Sequence, residues 1–126
     1  MTEFIEVKTA ELSGAALEYS VAMALGSHGQ ETGSSTLRDS KHWIIPGFAP
    51  MRWDDWTPSA DWSQGGPLIE RFGVTLTDPA GGSEWDASTS GDMEFYSGET
   101  PLIAICRAIA VAKLGETVWV PVELMK

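Results

Sequence analysis

The residues best suited to chemistry crowd into one segment, residues 53–71, which holds three indoles (Trp53, Trp56 and Trp62) and ends in the run 61–71, Asp-Trp-Ser-Gln-Gly-Gly-Pro-Leu-Ile-Glu-Arg. That run supplies an indole (Trp62), an amide (Gln64), two adjacent glycines (Gly65, Gly66), two carboxylates (Asp61, Glu70) and a guanidinium (Arg71). Paired glycines let a ligand or another backbone come close and permit positive φ. The amides of a turn opening near Pro67 are free to receive an anionic or carbonyl oxygen. A Trp ring offers a flat face for stacking. Asp61, Trp62, Gln64, Gly65, Gly66, Glu70 and Arg71 therefore form the candidate ligand-binding set. The guest they fit is small and polar, planar or nucleotide-like. The same residues also fit a structural role, in which the indoles cover a core edge, Asp61 caps a turn and Gln64 bonds the backbone of its own loop.

Catalysis has a narrower footing. Asp61 and Glu70 flank the glycines and are the one acid/base pair to consider, and such a pair needs its two pKa values driven apart by environment. The chain contains no phosphate-binding glycine pattern ending in Gly-Lys-Ser/Thr, no Gly-x-Ser-x-Gly elbow, no His-Glu-x-x-His pair and no second cysteine. His28, His42 and Cys106 have no metal-ligand spacing, so no metal, cofactor or catalytic residue is assigned. Cys106 reads as a small core residue. The expected function is non-catalytic binding, with a small enzyme lacking familiar motifs and using Asp61 and Glu70 as the third choice.

Eight basic against eighteen acidic side chains give a net charge of −10 over 126 residues. That balance disfavours a nucleic-acid backbone and an anionic membrane surface as direct partners. Asp78, Glu84, Asp86, Asp92, Glu94 and Glu99 lie in a tract with no base between Arg71 and Arg107. Such a tract is a solvated face or, in the alternative function, a surface that engages a basic protein through Asp86, Asp92, Glu94 and Glu99. The longest strongly apolar stretch, 101–114, is interrupted by Arg107 and Lys113, and falls short of the roughly 20 residues a bilayer span needs. Residues 1–6 lack the basic flank and apolar core of a signal peptide. A cytoplasmic location is the expectation.

The elements that must position the run are those of one α+β domain: a small antiparallel sheet of three to five strands packed against two main helices. Alternation over 3–8 predicts a strand. Apolar residues three and four apart over 10–25 predict a helix, with Glu11, Gly14 and Glu18 as its polar stripe and Gly26 as its stop. Residues 27–42 are almost free of apolar side chains and are expected to form a mobile surface loop. Four prolines between 46 and 67 argue against long regular elements there, leaving 68–71 as a single turn before Gly73. Residues 74–77, 84–88 and 93–96 read as an antiparallel meander. Thr100-Pro101 opens a second helix that Gly115 closes. Because its circumference is nearly all apolar, this helix is expected to be buried in the monomer, a homodimer being the other arrangement that would cover it. Residues 118–122 are extended, with Pro121 implying an edge.

The run Asp61-Trp62-Ser63-Gln64-Gly65-Gly66-Pro67-Leu68-Ile69-Glu70-Arg71, followed by Thr100-Pro101-Leu102-Ile103-Ala104 and Lys113-Leu114-Gly115-Glu116, resembles the NinX-like phage proteins, a family without established activity. The opening Val7-Lys8-Thr9-Ala10-Glu11-Leu12 and Gly14-Ala15-Ala16-Leu17 is similar to that family's beginning. The resemblance implies a phage or prophage origin, expression in the cytoplasm of a bacterial host, and an accessory role. In that setting the basic partner of the acidic face would be a host protein, bound in takeover or counter-defence. The resemblance supplies no reaction.

Overall fold

The computed structural model describes residues 3–26, 28–29, 43–49, 51–78 and 84–125. Among these residues the architecture is α+β, with three α-helices and small antiparallel sheets. Strand β1 (Phe4–Lys8) runs into a 3-10 turn (Thr9–Glu11) and then α1 (Gly14–Ala24). Two short strands follow, β2 (His28–Gly29) and β3 (Trp43–Ile44), which pair with each other. Apart from His28 and Gly29, the loop expected over 27–42 lies outside the described residues. Next come α2 (Trp62–Phe72), β4 (Thr75–Thr77), β5 (Trp85–Ser88), β6 (Tyr96–Gly98), α3 (Pro101–Leu114) and β7 (Thr117–Pro121).

Strands β4, β5 and β6 form an antiparallel meander, with Leu76 opposite Ala87 and Ala87 opposite Tyr96. The third strand therefore begins at Tyr96, not at Met93. Residues 92–95 stay outside the ladder, and Met93 is 95% exposed. Strand β7 pairs with β1 in register Ile5 to Val120 and Val7 to Val118, so Pro121 does lie in an edge strand.

The centre is α3. Leu102, Ala104, Ile105, Cys106, Ala108, Ile109, Ala110 and Val111 are all buried, as its apolar circumference requires. It packs against α1 on one side and β5 and β6 on another. Thr100 caps it by accepting from the Ile103 amide at 3.2 Å. Its one mid-helix charge, Arg107, points into this packing without losing its polar partners. The guanidinium donates to the Leu12 carbonyl at 2.8 Å and the Ser97 carbonyl at 2.9 Å, tying α1's entry to β6. Helix α1 departs from the amphipathic expectation. Every residue from Ala16 to Ala22 is buried, Glu18 and Ser20 included.

The largest departure is α2. Residues 61–67 do not bend around a glycine turn; they cap and begin a helix that runs through Gly65, Gly66 and Pro67. Glycine and an interior proline both disfavour helix, so local propensity cannot explain it. Three tertiary and capping features oppose that cost. Asp61 caps the N-terminus through the Ser63 amide at 2.9 Å. Leu68 is buried in the core. Gly73, at φ 62°, ends the helix in a left-handed conformation that suits glycine.

Candidate functional site

The signature run is thus a helix with one face used up internally and the other open. Gln64, in the first turn, reaches back to the preceding loop. Its Oε1 accepts from the Thr57 amide at 2.7 Å, and its Nε2 donates to the Asp55 carbonyl at 2.8 Å. Both ends of the side chain are occupied by backbone, as the structural role allows. Gly65 is buried against the same loop. A Cβ there would sit 2.4 Å from the Pro58 carbonyl oxygen and 2.7 Å from Leu102 Cδ2. The close approach permitted by this glycine is therefore filled by the protein's own backbone.

Three amides at the start of α2 are also committed. Those of Gln64 and Gly65 donate to the Asp61 carbonyl at 3.0 and 2.8 Å, and that of Ser63 to the Asp61 carboxylate. The Ser63 hydroxyl donates to the same carboxylate oxygen at 2.7 Å, and these two hydrogen bonds hold the Asp61 pKa below its ordinary value.

On the outward side, Trp62 is 54% exposed. Gly66 lies one turn on, and a Cβ there would meet only the edge of the Trp62 ring, at 3.7 Å. The indole lies over the helix at Gly66, with ordinary contact room left for a methyl group there. Glu70 is exposed farther along. Arg71 closes the other end by donating to the Pro46 carbonyl at 2.7 Å, and its guanidinium also stands 5.7 Å from the Phe72 ring centre.

Asp61 and Glu70 are not brought together. Nine residues of helix separate them by about 13 Å along the axis and by about two and a half turns, so they project on opposite sides. Even the widely spaced carboxylate pairs of glycoside hydrolases stand only roughly 5–9.5 Å apart. Among the described residues there is no cluster of His, Cys, Asp and Glu able to hold a metal.

One residue that the sequence pattern put on the solvent stripe matters to this site. Glu18 is only 7% exposed. Its Oε1 accepts from the Ser59 amide at 3.0 Å, while its own backbone carbonyl accepts from the Trp56 indole at 2.9 Å. Burial pushes its pKa up, and the Ser59 hydrogen bonds oppose that shift. Trp56 is fully enclosed, edge-on to Phe48 with ring centres 5.1 Å apart. Glu18 and Gln64 thus hold loop 55–59 from two sides, and that loop in turn forms the wall against Gly65. The available signal was composition: Glu18 is the sole charge in α1, and a lone charge among apolar neighbours points to a buried, hydrogen-bonded carboxylate.

A family model described as Bacteriophage P22, NinX matches residues 8–113. The chain belongs to this phage family. The match takes in α1, the whole signature helix, the meander and all of α3 but its last residue. A search of the curated proteins found no match. The NinX family assignment fixes a phage-encoded protein and carries no reaction with it. Among the described residues, no helix is long and apolar enough to cross a membrane.

Proposed function

We propose that this NinX-family chain is a phage accessory protein that acts by binding, and that the contact surface is the outward face of α2 around Trp62. The observation that carries the reading is the half-exposed indole of Trp62 lying against Gly66 on a helix whose opposite face is fixed by Gln64, Gly65 and Leu68. An exposed indole on a rigid support stacks on planar groups at small entropic cost. The chain's net charge of −10 biases the guest toward a neutral or cationic ring, a nucleobase or a comparable polar heterocycle, over a polyanion. Arg71 is engaged with Pro46, and serves this surface by anchoring it.

The test is titration of the protein with a panel of nucleobases, nucleosides and nucleotides, read by indole fluorescence in the native protein and in Trp62→Ala. Saturable quenching that disappears in the variant is expected. A full panel without saturable change, or one unaffected by Trp62→Ala, would remove the reading.

A second reading has its own observation. In Asp92-Met93-Glu94-Phe95, two large apolar side chains, Met93 and Phe95, stand exposed between carboxylates, the mixture expected of a surface that contacts a basic protein. Salt-sensitive capture of a host protein, lost when Asp86, Asp92, Glu94 and Glu99 are neutralised, would favour it.

A further inference from the structure

The ribbon of β1 and β7 has two outer edges, and they are not alike. Between the strands, the Thr9 amide donates to the Glu116 carbonyl at 2.9 Å and the Val122 amide to the Glu3 carbonyl at 2.8 Å. Backbone groups alternate sides along an antiparallel strand, so the odd-numbered residues of β1 face β7. The amides and carbonyls of Phe4, Glu6 and Lys8 therefore face away from it. By the same alternation, the outer edge of β7 is carried by Thr117, Trp119 and Pro121. Pro121 has no amide to offer there, the usual way of blunting an edge. β1 carries no proline, and among the described residues β7 is its one paired strand.

The side chains of β1 leave this edge open on both faces. Phe4 is 47% exposed on one face and Ile5 is 44% exposed on the other. Glu6 and Lys8 are exposed beside Phe4, and the Thr117 hydroxyl donates to Glu6 Oε2 at 3.2 Å, which holds that carboxylate over the outward face. An unpaired edge with exposed apolar residues is a template for a further strand.

We infer that this edge pairs with β1 of a second copy of the chain, antiparallel, about a two-fold axis through Val7, to give a four-stranded sheet in the order β7-β1-β1-β7. When a strand pairs with itself about a two-fold axis, the residue on the axis fixes the register, and here charge selects it. With Val7 on the axis, Glu6 of each copy stands directly across from Lys8 of the other, a stabilising arrangement. With Glu6 on the axis, two carboxylates would meet, which destabilises. With Ile5 on the axis, Glu6 would face Phe4, and Lys8 would fall past the end of the second β1. The Val7 register also lines up Val118 and Val7 of one copy with Val7 and Val118 of the other, a row of β-branched side chains on the inner face. Glu6 and Lys8 are the residues whose backbone groups face outward, so each Glu6–Lys8 pair can exchange both of its hydrogen bonds. The paired strand has 5 residues, too short for the roughly 1,200 Å² of a stable interface, so the dimer should dissociate in the range of tens of micromolar, to order of magnitude. No residue is shared with the Trp62 face of α2, so either surface can fail without the other.

The experiment is sedimentation velocity of the full chain over about 5–500 µM, a range that brackets the expected dissociation constant, on the parent, E6K, K8E and the charge swap E6K/K8E. The parent should double in mass as concentration rises. Each single variant sets like charges opposite each other twice and should weaken the dimer about tenfold or more. The swap rebuilds both ion pairs at the parent's net charge and should recover the dimer. Amide hydrogen exchange reads the register: the Glu6 and Lys8 amides should slow with protein concentration, while the Phe4 amide, whose opposite position lies beyond the second β1, should not. A mass that stays single over the whole range, a dimer that neither single variant weakens, or a swap no stronger than the single variants would each overturn the inference. Both substituted side chains are exposed, so the fold is retained and a negative result counts.

Discussion

Replacing Gly65 by alanine tests whether α2 is pressed against the 55–59 loop as closely as the structure requires. A methyl group at this position would meet the Pro58 carbonyl oxygen at 2.4 Å and Leu102 Cδ2 at 2.7 Å. The leucine can rotate, but the carbonyl is backbone and must retreat by about 0.6 Å merely to reach 3.0 Å. Loop 55–59 is poorly placed to yield, because Gln64 and Glu18 both bond its amides. Overpacking of this kind costs about 3 kcal/mol at the upper end of its range, and the gain in helix propensity from glycine to alanine returns about 1 kcal/mol. The net expectation is a loss of about 2 kcal/mol. Gly66 is the internal control, since its Cβ would touch only the Trp62 ring at 3.7 Å. Gly66→Ala should therefore stabilise by about 0.5–1 kcal/mol. Urea unfolding of the three proteins, followed in parallel by far-ultraviolet circular dichroism and fluorescence, measures the pair. Equal effects of the two substitutions, or a Gly65→Ala protein as stable as the parent, would refute the packing of α2 against Pro58 and Leu102.

Three further expectations concern polar groups in or beside the core. The carboxyl of Glu18 has its pKa raised by burial, so the folded state holds its proton to higher pH than the unfolded chain does. Its contribution to stability then falls as pH rises from the ordinary glutamate value through the raised one. Glu18→Gln, which keeps an acceptor for the Ser59 amide, should remove that fall, and the difference in unfolding free energy between variant and parent should grow in favour of the variant across this window. A difference that does not change with pH would contradict it. Cys106 is wholly buried, and burial with Glu18 nearby pushes its thiol well up. It should resist a thiol reagent in the native protein and react on denaturation, whereas prompt native labelling would show α3 to be accessible. Arg107→Ala removes two carbonyl hydrogen bonds that join α1's entry to β6 and should lower stability by about 1–3 kcal/mol, measured by chemical denaturation. Arg107→Lys should recover only part of it, because one ammonium cannot reproduce the spread guanidinium fork.

Elements whose patterning and punctuation agree are legible in the sequence. β1, α1 and α3 have clear apolar periodicity or composition, and Thr100-Pro101 with Gly115 brackets α3 as expected. Helix α2 was hidden by Gly65, Gly66 and Pro67, three helix-disfavouring residues in a row. Its readable sign was Asp61 followed by Gln64, the spacing of an N-terminal capping box. Here Gln64 spends its amide on the neighbouring loop instead of on the cap residue, a choice set by tertiary packing and invisible to local rules. The start of β6 moved from Met93 to Tyr96 for a similar reason, since strand ends depend on which partner residues remain to pair. Glu18 illustrates a different failure. Periodicity assigns faces on the assumption that one side of a helix is wet, and α1 is covered nearly all round. For the candidate site, residue types could single out a segment, but which side of each residue faces inward was settled by Pro58, Leu102 and Thr57, which lie elsewhere in the chain or fold.

The central claim is that the signature helix binds through its Trp62 face and holds itself together through its Gln64 face. Both side chains carry nitrogen-bound protons, so one ¹⁵N-correlated spectrum recorded through a nucleoside titration observes them together. The account predicts a saturable shift of the Trp62 indole resonance while the Gln64 side-chain amide pair stays in place. A moving Gln64 pair beside a stationary Trp62 resonance would contradict it.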